Sequence, residues 1–568
     1  MNNFKILISI CVLLIGKLNY AQEKINWEED LQYAKSYLEI MHPRLFDFVT
    51  EEEFNNKFDY LLNNWQNIDD AEIVTRITEI FVKIQDGHTG VSLFNSNDYI
   101  KSLFHYFPVW LYKFSDGYFV LYAKNEYREL VGKKIIKLGN LEIDEAIKHM
   151  MRLQVGDNEW GKIQYIPLIQ EFLQYTGVMD EETSELIIQY ESKKGNALEF
   201  KIEKPESFKD FYKAPKVFPQ KDKAVYAMND DCTKALPLYL SHLNEGGYSG
   251  SYYWYTWLPD QETIYLQISN NMDKPDDPFN AFCKRMFHDL DSLKAKKLIV
   301  DVRLNGGGNH FEMPLIKGII ARPKIDSEGN LFLITSRRTI SASQHLTTQM
   351  EIYTNAVIIG EPTAARPNMA GSITRFTLPN SGLNCFTAKE YTQDSEFSDF
   401  RLTTKPHVYS IISSDDYRNN IDPVLNAIFR YDSIKQIKEE CGKAMQTGYN
   451  ENGIEGLKQA FYNHKPGCKS IGINFERFLI EEFSWWIYSN RKEKQDYADY
   501  IKFVVDEMPE SMQANYWYGR NCQLNDKPDL AKEYYKRCLE INPAHLNATK
   551  YSKLIDLNEV YHLQNYGW

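Results

Sequence analysis

The chain has 568 residues, room for roughly three or four domains, and its 43% hydrophobic and 25% charged residues are those of an ordinary globular protein. A formal net charge of −13, with no Lys/Arg block or basic stripe, argues against a nucleic-acid partner. Eight cysteines without a CxxC pair are too sparse for a disulfide scaffold or a zinc site.

The chain opens with the charged stretch Met1-Asn-Asn-Phe-Lys5. The apolar run Ile6–Ile15 and the small residue Ala21 follow. This order reads as a signal peptide over residues 1–21, so the mature protein is expected to be exported, to the periplasm or outside the cell. No second apolar run reaches the roughly 20 residues that a membrane span needs.

Residues 22–95 read as an N-terminal helical domain. Apolar residues recur with helical spacing around Trp27–Met41, Phe54–Trp65 and Ile73–Ile84. The third helix stops at Asp86-Gly87-His88-Thr89, where Gly87 is a natural terminator.

Residues 96–215 form a β-rich module. Phe107–Phe114 and Tyr118–Tyr122 alternate like strands around the turn Ser115-Asp-Gly117. A helix is expected over Ile143–Met150, and another over Leu168–Tyr175 with Pro167 in its first turn.

Residues 216–435 alternate strand and helix. Thr263–Ile268 is a strand, Phe279–Leu293 a helix, and Lys297–Val302 a strand that runs into Arg303-Leu-Asn-Gly-Gly-Gly-Asn309. Leu331–Ile334 then leads through the serine stretch Thr335–Gln344 to a helix and to Ala356–Gly360. This is the rhythm of a mostly parallel sheet with crossover helices.

Residues 436–568 are helical again. The pattern from Ala514 to Pro543 fits one helix–turn–helix unit of the tetratricopeptide kind, which is either a partner-docking element or an ordinary hairpin.

Three turns share one chemical logic: His88 after a helix, the triple glycine after a strand, and Ser341 before a helix. Acyl transfer needs a nucleophile, a base and donors for the oxyanion. Ser341 can attack, although Ser341 or Ser343 can equally be a simple helix cap. His88 can accept the proton. The glycines let backbone approach a substrate, and Gly307 and Ala342 offer N–H groups. A nucleotide cradle is a weak alternative, since neither GxGxxG nor GK[ST] is present.

Lys296–Gly308, Thr339-Ile-Ser-Ala-Ser-Gln344 and Val357-Ile-Ile-Gly-Glu-Pro-Thr363 together resemble motifs of the S41 serine peptidases, over roughly residues 25–430. That family includes the C-terminal processing proteases and the tricorn core protease. The resemblance implies an α/β and α+β multidomain chain: an N-terminal helical bundle, a PDZ-like β module, a ClpP/crotonase-like α/β core and, beyond it here, C-terminal α-helical hairpins. It implies a serine-type peptidase acting on peptide or protein substrates, with Ser341 as nucleophile and no metal or cofactor. The processing proteases place a base lysine 25 residues after the serine, and here that position is Arg366. Arginine stays protonated and cannot serve as base. The tricorn-like branch uses a histidine where this chain has His88, although the serine that precedes it in tricorn is Gly87 here. Asp399 is the expected acidic partner, with Glu396 and Asp394 as rivals. Arg366 either grips a substrate carboxylate or forms a structural ion pair. The alternative reading is a catalytically silent ligand- or peptide-binding protein, as in the retinoid-binding branch of the same fold. The C-terminal helices are a possible docking site for a protein partner.

Overall fold

A computed structural model describes residues 25–164, 166–192, 194–211, 225–227, 237–242 and 252–556. The leader expected over residues 1–21, the boundary expected at 215–216 and Cys232 lie outside the described residues.

Three capped helices begin the described chain: α1 (Trp27–Met41), α2 (Glu51–Asn64) and α3 (Asp70–Lys83). Side chains of Asn26, Thr50 and Asp69 each accept a backbone N–H from the first turn. This is how such residues satisfy the orphan donors of a helix start. Their apolar faces meet Phe376, Leu378, Leu383 and Cys385 from the core's β-hairpin, so one hydrophobic cluster joins the two. The short strand Gly90–Val91, just after His88, pairs antiparallel with that hairpin, Gly90 opposite Phe386.

A second sheet contains β1 (His105–Phe114), β2 (Gly117–Lys124), β3 (Lys134–Leu138), β4 (Ile166–Ile169), β5 (Leu186–Glu191) and β6 (Ala197–Ile202), in the order β4-β1-β2-β3-β5-β6. Helix α4 (Ile143–Met150) and the short α5 (Gln170–Tyr175) accompany it. The helix expected from Leu168 begins two residues later, because Ile166–Ile169 is an edge strand with Pro167 opposite Trp110. An edge strand tolerates proline because one side of it needs no N–H donor.

The core sheet runs β7 (Tyr253–Leu258), β8 (Thr263–Ile268), β9 (Lys297–Asp301), β10 (Leu331–Thr335), β11 (Val357–Gly360) and β14 (Val408–Tyr409). Only the β7–β8 pair is antiparallel. Helices α6 (Phe279–Ser292), α7 (Met313–Ile320) and α8 (Ala342–Tyr353) cross over between strands. The antiparallel hairpin β12 (Asn368–Thr377) and β13 (Asn384–Gln393) leaves the core toward α1–α3.

The other face of the core sheet is covered by α9 (Tyr431–Ser470), α10 (Lys494–Glu507), α11 (Met512–Leu524), α12 (Pro528–Ile541) and α13 (Leu546–Asp556). Tyr265, Ile299, Phe332, Ile334 and Ile359 of the strands share one hydrophobic cluster with these helices. Arg477 and Arg401 both grip Glu351 near the end of α8. The C-terminal helices are thus a structural layer of the core, with α9 running unbroken through residue 436 apart from a kink at Asn452–Gly453. No described helix is long and apolar enough to cross a membrane.

Candidate active site

Ser341 caps α8 from a left-handed backbone, φ 62° and ψ −131°. For a residue with a Cβ this costs on the order of 1–3 kcal/mol and persists only where surroundings enforce it. Three neighbours supply the enforcement. Ser343 Oγ accepts from Ile340 N–H at 2.9 Å and sits 2.8 Å from the carbonyl oxygens of Asn305 and Ile340. Thr339 Oγ1 donates to Val302 O at 3.1 Å, and Ser336 Oγ to Arg303 O. The serine stretch is stitched to the glycine turn, and Ser343 is one of the stitches. The Ser341 side chain makes no capping bond. The two serines therefore differ: Ser343 binds the turn together, while the Ser341 hydroxyl makes no capping bond.

Gly307 adopts φ 105°, and a Cβ on it would lie 2.6 Å from Ser341 Cβ. Only glycine fits at this approach. Its N–H, however, donates to Asn305 Oδ1 at 2.9 Å. The expected role of Gly307 as an oxyanion donor is corrected on that ground: the group is already satisfied. Asn271 N–H donates to Gly307 O, and Asn309 N–H donates to Asn271 O. Alternate peptide groups of such a bridge face opposite ways, so the N–H of Gly308 is turned from Asn271. Ala342 N–H, the first of α8, lies outside the helical ladder and points out of the helix start.

His88 arrives from the end of α3 through Gln85, itself left-handed at φ 54°. A Cβ on Gly87 would sit 3.0 Å from Ile340 Cδ1. The His88 turn and the Ser341 turn thus meet one residue before His88 and one before Ser341. A Cβ on Gly371 of β12 would be 4.0 Å from His88 Nε2, so a bare strand passes the ring. Asp157, buried, accepts from Gly87 N–H at 2.5 Å and from Arg366 N–H at 3.1 Å, tying both sides together.

The acid beside His88 is Asp86. His88 Nδ1 faces Asp86 Oδ1 at 3.6 Å, and His88 N–H donates to the same oxygen at 2.9 Å. Thr89 Oγ1 and His42 Nε2 meet the other oxygen at 2.7 and 3.1 Å. Burial pushes the Asp86 carboxyl up, but its bonds to His42 and His88 win and hold it far below the usual carboxylate range. Burial pulls the His88 imidazole down, yet Asp86, with Asp157 behind it, outweighs this and leaves its pKa raised.

Asp399, expected to orient His88, is instead bound to Arg401 at 2.8 and 2.9 Å and to Ser395 Oγ at 2.7 Å. Its charge is spent on an arginine two residues along the chain. Asp394 meets His345 Nδ1 on α8, and Glu396 holds Asn368 through its backbone carbonyl. Arg366 stacks its guanidinium over Phe48 at 3.8 Å and donates to Gln85 O. This ties the loop after β11 to the His88 turn. Among the described residues no group of His, Cys, Asp or Glu could hold a metal ion.

Sequence reasoning passed over Asp86, His42 and Asp157. Asp86 stood in view, two residues before His88. His42 stands just past the first helix, 44 positions before Asp86. Nothing in the sequence links positions so far apart.

No family model and no curated protein matches the chain. Solved structures similar to it include mature CPAF, 10% identical with a TM-score of 0.45, covering 72% of this chain and 96% of that one. The photosystem II D1 C-terminal processing protease is 12% identical with a TM-score of 0.30, covering 67% and 92%. A candidate S41 protease from Bacteroides fragilis is 13% identical with a TM-score of 0.30, covering 71% and 97%.

Proposed function

We propose that this chain is a serine-type peptidase of the S41 kind, exported by its N-terminal leader. The observation that carries the reading is the Ser341 turn: a left-handed serine at a helix start, with no capping bond, pressed against Gly307 and in contact through Ile340 with the His88 turn. Ser341 Oγ attacks a peptide carbonyl while His88 Nε2 takes its proton. Ala342 N–H, with Gly308 N–H in place of Gly307, holds the oxyanion, the term that usually contributes most to such catalysis. His88 returns the proton to the leaving amine, and water then hydrolyses the acyl-enzyme by the same route. The Asp86 carboxylate, 3.6 Å from His88 Nδ1, draws the imidazole proton to that side and leaves Nε2 as the base.

The test is hydrolysis of a mixed fluorogenic peptide library by Ser341→Ala. The variant is expected to keep the wild-type melting curve and lose all turnover. Unchanged hydrolysis would remove Ser341 from the mechanism, and no hydrolysis by the wild type would favour a silent binding protein.

A further inference from the structure

We infer that His42 is a positioning residue for the His88 base, acting through the Asp86 carboxylate that the two imidazoles share. The inference rests on the peptidase reading for its meaning, although the contacts stand without it.

His42 caps the end of α1, its N–H donating to Leu38 O. Its Nδ1 accepts the backbone N–H of Arg44 at 3.1 Å. A ring nitrogen that accepts carries no proton, so the proton of neutral His42 is on Nε2. That nitrogen is the one 3.1 Å from Asp86 Oδ2. The backbone therefore fixes the tautomer, and His42 can only donate to Asp86.

An ionised carboxylate offers about four lone-pair sites. On Asp86 three are filled, by His42 Nε2–H, Thr89 Oγ1–H and His88 backbone N–H. The fourth is on Oδ1, which faces His88 Nδ1. Thr89 is itself held, its oxygen accepting Ala388 N–H at 3.1 Å. With these three sites held, the carboxylate stays beside the His88 ring, whose buried Nδ1 lies 3.6 Å away with no other hydrogen-bond partner among the described residues. His42, Asp86 and His88 are 7%, 4% and 4% exposed, so water does not compete freely for these bonds. The remaining groups facing His88 are the Asp157 carboxylate, which Arg366 partly balances, and the Ala370 carbonyl of β12.

The two jobs of His42 can be separated. Asparagine reproduces the acceptor at Nδ1 but does not reach Asp86. Glutamine reaches the position of Nε2 and can donate there. The readout is the pH dependence of histidine C2–H exchange, followed by peptide mass spectrometry in the full chain, which titrates His88 whether or not the enzyme turns over. In H42N a carboxylate with one donor fewer holds the imidazolium more strongly, so the His88 midpoint rises by about half a pH unit or more. In H42Q it stays at the wild-type value. The second variant, H42Q, keeps the test from hanging on one variant folding. A His88 midpoint in folded H42N equal to wild type, or H42Q shifting as far as H42N, overturns the inference. Fluorophosphonate labelling of Ser341 in the wild type tests the peptidase reading separately.

Discussion

Two histidine–carboxylate pairs flank the Ser341 turn, and they are built differently. His88 faces Asp86 on a turn that is strapped to the core by the Gly90–Val91 strand and by Asp157. His345 meets Asp394 from α8 itself, one helical turn after Ser341. Asp86 is held by a backbone N–H, a hydroxyl and an imidazole of fixed tautomer. Asp394 is met by His345 and by the long reach of Gln349 at 3.4 Å. The His345 ring lies 4.2 Å from that of the half-exposed His310, which bonds Glu312 at 3.1 Å. A base must stay put while charge moves, and preorganisation by backbone achieves this where a set of flexible side chains does not. The comparison teaches that a His–Asp contact near a serine is insufficient evidence for a base; what holds the acid decides.

Ser341 and His345 depend on where α8 sits, and the largest expected effect comes from removing its anchor. Deleting residues 440–568 removes most of the hydrophobic cluster that holds Tyr265, Ile299, Phe332 and Ile359 and frees Glu351 from Arg477. Each such side chain is worth about 1.5–3 kcal/mol when buried, against a total stability of about 5–15 kcal/mol. The truncated chain is expected to show no cooperative melting transition; a folded truncation that still labels at Ser341 would break this account of the C-terminal layer. Within the intact chain, His88→Ala should slow hydrolysis by about 10²–10⁴-fold, the usual worth of a general base. His345→Ala should slow it by less than about tenfold on the same scale. The reverse ranking in steady-state kinetics would hand the role to His345. The pH profile sharpens the choice. His88 acts when neutral, and its pKa is raised above the ordinary 6.5, so kcat/KM should climb with pH and reach half its plateau above pH 6.5. Asp86→Asn removes the carboxylate that raises it, which should move that midpoint down. The smallest effect is expected from Asp399→Asn. It loosens Arg401, which keeps Glu351, so stability should fall by about 1–2 kcal/mol in urea melts with kcat/KM unchanged.

Much of the core was legible because its strands are buried runs between helices with clear spacing. Residues 298–300, 331–334 and 357–359 are apolar throughout, as strands covered on both faces must be. Ile166–Ile169 was misread because a proline at a helix start and a proline on an edge strand look alike without the neighbouring strand. At the site, the Ser341 and His88 turns could be picked out from local motifs, and the structure brings the two turns together at Ile340 and Gly87. Gly307 was read for the right reason, its close approach, and given the wrong donor role, because Asn305 two residues earlier takes its N–H. Asp399 was chosen by position in the chain, which does not reveal that Arg401 claims it. His42 and Asp86 lie 44 positions apart and meet only when α1 and the turn after α3 pack together.

The central claim is that Ser341 is a nucleophile activated by His88. Its most direct test is labelling of the purified full chain with a fluorophosphonate, mapped by peptide mass spectrometry, in wild type and in His88→Ala. An adduct on Ser341 is expected in the wild type and is lost in the variant. An adduct that survives His88→Ala would contradict the assignment of the base, and no adduct on the folded wild type would contradict the nucleophile.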